Sequence, residues 1–293
     1  MPPTRKDLAR LALLKAEEVR DKFDIEPESA VNVFDLCGER LDPPIIVRFS
    51  DVPSMEGFYL RQNPPHIFLG ERPLVRRTFN CAHELGHHVF GHGSTFDELT
   101  AESESGRSFE PNEFLADTFA GYLLMPRIAV MNAFRLRGWK AEGVDPVQYF
   151  VVACSLGVGF ETLAKHCRYS LELIGDAACR ELANTGLPAI RRAMLRGHAP
   201  DRLLAVDTHH TLPTADSEVG TAVLLPAGTH AENPTLSNPV DTPLGRLFTA
   251  AKPGITRVFT PGGEWSAIVR VMPDKYCGLS RYRHLSREEG DDE

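Results

Sequence analysis

The first third of the chain alternates between helical and extended hydrophobic patterns. Apolar residues from Leu8 to Phe23 recur at helical spacing and predict an amphipathic helix at about 5–24. Three short apolar runs follow, each bounded by polar or turn-forming residues, and they predict strands at 45–49, 57–60 and 66–69. The most economical arrangement of these strands is a small antiparallel sheet.

Two further helical patterns lie on either side of a polar stretch. The first predicts a helix at 73–91, which Gly91 and Gly93 end, and the second predicts a helix at 112–125, which Pro126 ends. The stretch between them, 94–110, is acidic and rich in serine and threonine. We interpret it as a solvated loop, with a lid over a neighbouring site as the alternative.

Beyond residue 126 the helical pattern continues, first at 128–137 and then in segments to about residue 197. The pattern changes at residue 201, where short β-type runs are separated by glycine, proline and asparagine turns. These runs predict strands at 203–206, 221–225, 256–259 and 266–271. We therefore expect an α+β chain with four parts: a helix-and-sheet domain at 1–140, a helical segment at 141–200, a β-rich domain at 201–285 and an acidic disordered tail at 286–293.

Composition narrows the classes of function. The 293 residues carry 40 acidic and 32 basic side chains, a formal net charge of −8, which argues against broad binding to nucleic acid or an anionic membrane. The N-terminal residues lack a signal-peptide pattern, and no apolar run is expected to approach the roughly 20 residues of a membrane span. The six cysteines are scattered without a CxxC pair, which is typical of a reducing compartment. We expect a cytoplasmic protein without a membrane partner.

The segment His83-Glu84-Leu85-Gly86-His87 lies inside the predicted helix at 73–91. His83 and His87 are four residues apart and share one helix face, so both imidazoles can bind a single ion. Glu84 is turned by roughly 100° from His83 about the helix axis and can reach a water on that ion. Zinc makes such a water acidic, and a neighbouring carboxylate can accept its proton. The pattern predicts a catalytic zinc site with Glu84 as general base, although another divalent metal is compatible with these ligands.

A catalytic zinc also needs a third protein ligand and an open position. His88 follows His87 directly and is expected to face away from the ion. His92 lies five residues beyond His87, whereas the third histidine of metzincins lies six beyond, so we keep His92 only as an alternative. Glu113 begins the next helix in the manner of the third ligand in gluzincins. Asp117, one turn later, can accept the free N–H of a zinc-bound histidine.

Two segments resemble the signature of the ImmA/IrrE metallopeptidase family: RRTFNCAHELGH at 76–87 and NEFLADTFAGYLLMP at 112–126. The resemblance covers about 5–170. It implies a small zincin-like fold in which His83, His87 and Glu113 bind zinc and Glu84 is catalytic. It also implies site-specific cleavage of a helix-turn-helix transcriptional repressor, in the response to DNA damage and radiation or in the induction of mobile elements.

The longer, radiation-response members of that family carry a helix-turn-helix segment and a GAF-like sensory domain after the peptidase. Residues 145–175 resemble such a helix-turn-helix, and 201–285 are expected to correspond to the sensory domain. The second helix offers only a few basic groups, Lys165, His166 and Arg168, so we expect it to pack against the peptidase and not to bind nucleic acid.

Two other functions are compatible with the residues. One is a non-proteolytic DNA- or ligand-binding regulator whose metal site is structural, and the other is a peptidase of broad specificity. A side chain that polarises the scissile carbonyl would suit the peptidase reaction. The candidates are Tyr59, Tyr122 and the pair His209-His210, among which the sequence does not choose.

Overall fold

The computed structural model describes residues 3–98, 109–196, 200–212 and 214–285. The chain divides into two compact units. The first unit comprises Met1–Asn184 together with Cys277–Arg281, and the second comprises Thr185–Tyr276 together with Tyr282–Glu293. The finer division predicted at residue 140 stays a prediction, and the predicted disordered tail lies outside the described residues.

The first unit opens with helix α1 (Arg5–Lys22), in agreement with the helical spacing of its apolar residues. Thr4 and Asp7 form a reciprocal capping box that satisfies backbone N–H groups at its start. Near its end, the buried guanidinium of Arg20 donates to the backbone oxygen of Leu123 at 2.8 Å. A short helix α2 (Val33–Asp35) follows and continues as a π-helical turn at Leu36–Arg40.

The sheet of the first unit contains β1 (Ile46–Phe49), β2 (Met55–Leu60), β3 (His66–Leu69) and β4 (Thr95–Glu98), in the spatial order β1-β3-β2-β4. β2 and β3 form an antiparallel hairpin, but β1 and β3 are parallel. The predicted all-antiparallel sheet is therefore wrong, and the sheet is mixed. The reason is that β1 pairs with β3 and not with β2. The chain reverses its direction between β1 and β2 and again between β2 and β3, so β1 and β3 run in the same direction.

The predicted loop at 94–110 is also partly wrong. Thr95–Glu98 forms β4, which pairs antiparallel with β2 and places Thr95 opposite Tyr59. The polar sequence at this edge lacks the regular alternation by which a strand is recognised, so its pairing could not be predicted. Residues 99–108, which form most of the predicted lid, lie outside the described residues.

The described part of the first unit also contains six further α-helices: α3 (Leu74–Phe90), α4 (Pro111–Leu124), α5 (Arg127–Leu136), α6 (Pro146–Leu156), α7 (Phe160–Tyr169) and α8 (Asp176–Asn184). α3 ends at Gly91, whose φ of 69° is left-handed and favours glycine. α6 and α7 meet at a bend of 98°. The imidazole of His166 on α7 donates from Nε2 to the backbone oxygen of Met125 after α4, at 2.9 Å. The second helix of the helix-turn-helix-like segment thus packs on the helix that carries Glu113, as predicted.

The stretch Pro111–Leu136, which comprises α4 and α5, has the length and mean hydropathy of a membrane-spanning helix. Charged residues such as Glu113, Asp117 and Arg127 interrupt this stretch, so an apolar segment of this length was not expected from the sequence. However, 61% of its most apolar window is buried inside the protein. Such burial is typical of a core helix in a soluble protein.

The second unit begins with α9 (Leu187–Met194) and continues almost entirely in strands. These strands are β5 (Leu203–Ala205), β6 (Thr214–Glu218), β7 (Ala222–Leu225), β8 (His230–Ala231), β9 (Leu236–Thr242), β10 (Gly245–Ala250), β11 (Gly254–Phe259) and β12 (Ser266–Met272). They form two four-stranded sheets, β5-β7-β10-β9 and β6-β12-β11-β8, which share a core that includes Val223, Phe248 and Val269. The β-rich character predicted for 201–285 is confirmed, and the GAF-like identity stays a prediction.

A last strand, β13 (Gly278–Leu279), belongs to the first unit. It pairs antiparallel with β1 and places Leu279 opposite Arg48. The sheet order of the first unit is therefore β13-β1-β3-β2-β4. A segment from near the C-terminus thus covers one edge of this sheet, and β4 lies at the other edge.

Candidate metal centre

Helix α3 carries the residues on which the metal prediction depends. His83 is 7% exposed, and Glu84 and His87 are fully buried. Three buried ionisable side chains within little more than one helical turn are costly unless they have partners. The contacts of these side chains therefore have to offset the cost of burying them.

The two histidines and Glu113 converge on one point. The Nε2 atoms of His83 and His87 are 3.0 Å apart. Glu113 on α4 places Oε2 at 3.3 Å from Nε2 of His83 and Oε1 at 3.5 Å from Nε2 of His87. Ligands bound to zinc at about 2.0–2.1 Å in a tetrahedral arrangement are separated by about 3.4 Å. The donor atoms and their spacing therefore fit an ion of this size.

The other ring nitrogen of each histidine is also engaged. Nδ1 of His83 lies 2.8 Å from Oδ1 of Asp117, one turn after Glu113 on α4. Nδ1 of His87 lies 2.9 Å from Nδ1 of His92. These contacts leave the two Nε2 atoms as the nitrogens that face Glu113. The structure thus brings Asp117 to the position that its helical spacing predicts, and it places His92 behind His87 and outside the ligand cluster.

The carboxylate of Glu84 contacts the sheet, on strands β4 and β2. Thr95 on β4 donates its hydroxyl hydrogen to Oε2 of Glu84 at 3.0 Å. On the neighbouring strand β2, a Cβ built on Gly57 would lie 2.2 Å from Oε1 of Glu84. The carboxylate therefore occupies the space that the side chain of residue 57 would fill. Thr95 could not be predicted as part of the site, because the strand that presents it lies in a stretch predicted to be a loop.

Tyr59 and His88 form a pair of their own on the side of α3 that faces β2. The hydroxyl of Tyr59 forms a hydrogen bond with Nδ1 of His88 at 2.8 Å. Burial lowers the pKa of His88 and raises that of Tyr59. His88 is thus turned away from the ligand cluster, as its position next to His87 predicts.

The other candidates for polarising a carbonyl are engaged elsewhere or belong to the second unit. The Tyr122 hydroxyl donates to the backbone oxygen of Ser170 at 3.3 Å. The pair His209-His210 lies in the second unit, where the backbone N–H of His209 donates to Asp207. None of these contacts points to a role in the reaction.

The groups around Glu113 favour the ionised form of its carboxyl. Hydrogen bonds from His83 and His87 hold the pKa of this carboxyl far below its usual range, against the opposing effect of partial burial. Glu113 also lies in the first turn of α4, where the helix dipole favours negative charge. A carboxylate that stays ionised at neutral pH is the form that binds a divalent cation.

Comparison with known protein families identifies the type of domain that the first unit contains. Residues 41–170 match the family model Peptidase_M78, described as the IrrE N-terminal-like domain. This segment, somewhat less than half of the chain, is an IrrE N-terminal-like domain of the Peptidase_M78 type. The resemblance to ImmA/IrrE proteins is thereby confirmed, and the matched segment contains α3, α4 and the whole His83, His87 and Glu113 cluster. No curated protein matches the chain significantly. The Peptidase_M78 assignment and the metal-site geometry together indicate a metallopeptidase.

Proposed function

We propose that this protein is a zinc-dependent endopeptidase that cleaves a helix-turn-helix transcriptional repressor at a specific site. The observation that carries the proposal is the convergence of His83, His87 and Glu113, with the buried carboxylate of Glu84 on the next position of the same helix. The Peptidase_M78 match supports the proteolytic reaction. The family resemblance in the sequence supports the repressor as substrate.

Each polar residue of the site has a definite role in this proposal. A bound zinc ion supplies Lewis-acid chemistry, which acidifies water and stabilises negative charge on the carbonyl oxygen. Glu84 takes the proton from the attacking water and later delivers it to the leaving amine. Thr95 holds one oxygen of Glu84, which fixes the direction from which the carboxylate approaches. Asp117 keeps the hydrogen of His83 on Nδ1, so that Nε2 remains available as a ligand.

The edge of the sheet at β4 offers a place for the substrate. An extended peptide can add to a free strand edge through backbone hydrogen bonds, with specificity supplied by pockets for alternate side chains. β4 is the last strand in the order of the described sheet, and its Thr95 contacts Glu84 directly. A repressor segment that pairs with β4 would therefore lie beside the general base.

Several finer features belong to the same proposal. We infer that the reaction takes place in the cytoplasm and that cleavage releases genes of a stress response, such as that to DNA damage, or genes of a mobile element. We also infer that the second unit serves as a sensory, GAF-like domain. Zinc is the metal that this donor set suits best, and another divalent ion is the alternative.

A second candidate function is a non-proteolytic DNA- or ligand-binding regulator with a structural metal. Glu84 separates the two functions, because a structural zinc site is closed by four protein ligands and needs no carboxylate beside an open position. The cluster in the described residues has three ligands. This favours the peptidase.

The deciding experiment compares the parent protein with Glu84→Gln and with Glu17→Gln, a matched substitution at an exposed position on α1. Each purified protein is loaded with zinc and incubated with an extract of the source cells and with short generic peptides, and newly formed N-termini are sequenced. The parent and Glu17→Gln should produce the same cut in a helix-turn-helix protein and leave the generic peptides intact. Glu84→Gln should retain zinc and its fold but produce no cut. Cleavage by Glu84→Gln at the parental rate would contradict the proposal.

A further inference from the structure

His92 occupies a special position just beyond the catalytic helix. Gly91 and Gly93 on either side of it have left-handed φ values of 69° and 92°, which reverse the chain tightly after α3. The backbone N–H of His92 donates to the backbone oxygen of His87 at 3.1 Å. The turn thus folds the side chain of residue 92 back onto the last turn of α3.

The ring of His92 is held on two sides. It is stacked on Phe90, with ring centroids 5.5 Å apart and an interplanar angle of 14°. Its Nδ1 lies 2.9 Å from Nδ1 of His87, and the two rings are tilted by 70°. A solvated surface histidine would lack both contacts. His92 is also not part of the group of side chains whose ligand atoms converge.

In the contact between the two Nδ1 atoms one nitrogen must donate and the other accept, and the role of His87 as a metal ligand decides which. Nε2 of His87 faces His83 and Glu113, and in a metal ligand this nitrogen carries no hydrogen. The hydrogen of His87 is then on Nδ1 and is donated to the lone pair of Nδ1 in His92. His92 in turn carries its own hydrogen on Nε2.

We propose that His92 is a positioning residue for the metal ligand His87, fixing its tautomer and ring orientation as Asp117 does for His83. The two ligand histidines thus have different partners, a carboxylate for one and a neutral imidazole for the other. The inference rests on the metal centre of the proposed function and is independent of the substrate. Partners of this kind typically contribute 10- to 100-fold to metal affinity.

The test measures zinc affinity and not activity. His92→Phe keeps an aromatic ring to stack on Phe90 but removes the acceptor, and we expect its zinc dissociation constant to rise about 10- to 100-fold. His92→Asn offers an amide oxygen close to the position of Nδ1, and we expect it to regain part of the lost affinity. His88→Phe is the matched control, because His88 is bonded to Tyr59 and faces away from the ligands.

Affinities are measured by competition with a chromophoric chelator on the full chain carrying Glu84→Gln, which prevents self-cleavage. Melting of each metal-free variant shows whether it is folded, and His92→Asn keeps the test decisive if His92→Phe fails to fold. Zinc affinity within about twofold of the parent for folded His92 variants would overturn the inference. An equal loss in His88→Phe would also overturn it, since the effect would then belong to the end of α3 in general. Failure to find any cleaved repressor would count against the proposed function and leave this result unaffected.

Discussion

Adding one methyl group at Gly57 tests how closely the sheet holds the general base. The new Cβ would lie 2.2 Å from Oε1 of Glu84 and 3.0 Å from its Cδ, whereas ordinary contacts begin at 3.4 Å. The carboxylate must therefore move by about 1 Å, and a displacement of this size in a reacting group costs about 100-fold in rate. This corresponds to about 2.7 kcal/mol in the activation barrier. We expect Gly57→Ala to fold, because the group that must move is the end of a side chain.

The rate is measured as cleavage of the identified repressor at saturating zinc, and zinc affinity is measured in parallel by chelator competition. Gly57→Ala should lose about 100-fold in kcat. It should bind zinc as the parent does, since the three atoms nearest to the new methyl group all belong to Glu84 and not to a metal ligand. Gly175→Ala is the control, because nothing lies within 4 Å of a Cβ at that position and its backbone is not left-handed. Full activity of Gly57→Ala would refute the placement of Glu84 against β2.

Three further predictions concern stability. Gly121→Ala should lower the free energy of unfolding by about 1–3 kcal/mol, measured with denaturant, because its Cβ would lie 2.8 Å from Nδ1 of the buried His166. Burial lowers the pKa of His166 to about 4. The unfolded chain therefore binds the proton first, and the free energy of unfolding should fall by up to about 3 kcal/mol as pH decreases from about 6.5 to about 4 in a denaturant titration series. Asp216→Asn should destabilise the second unit by about 3–5 kcal/mol in a melting experiment, because Asp216 pairs with Arg270 at 2.6 Å and with Arg283 at 2.7 Å in the interior. Unchanged stability of Gly121→Ala would contradict the close approach of His166 to residue 121. A free energy of unfolding that does not change with pH would contradict the burial of His166. Melting of Asp216→Asn at the parental temperature would contradict the ion pairs of Asp216.

The site residues could be predicted from the sequence where their spacing along a single helix brings them together. The spacing of His83 and His87 requires only helical geometry, so their common face could be predicted without the fold. Glu113 and Asp117 are likewise one turn apart, and the structure brings them to the two histidines. The helices and most strands of the first unit were also predictable, because their hydrophobic periods are regular.

Contacts made by residues without such a period could not be predicted. Thr95 reaches Glu84 only because its polar strand pairs with β2, and the sequence of β4 does not alternate. Gly57 matters because α3 crosses β2 at that residue, which is a property of the packed sheet and not of the strand. The parallel pairing of β1 with β3 and the addition of β13 depend on long-range contacts that local patterns do not encode.

The central claim is that His83, His87 and Glu113 bind one ion and leave a position open beside Glu84. Diffraction from crystals of the zinc-loaded full chain, recorded on both sides of the zinc absorption edge, tests it most directly. The account predicts a single strong anomalous peak at about 2.0–2.2 Å from Nε2 of both histidines and from a carboxylate oxygen of Glu113, with no fourth protein ligand. A peak elsewhere, or a zinc ion bound without Glu113 or closed off by a fourth side chain, would contradict it.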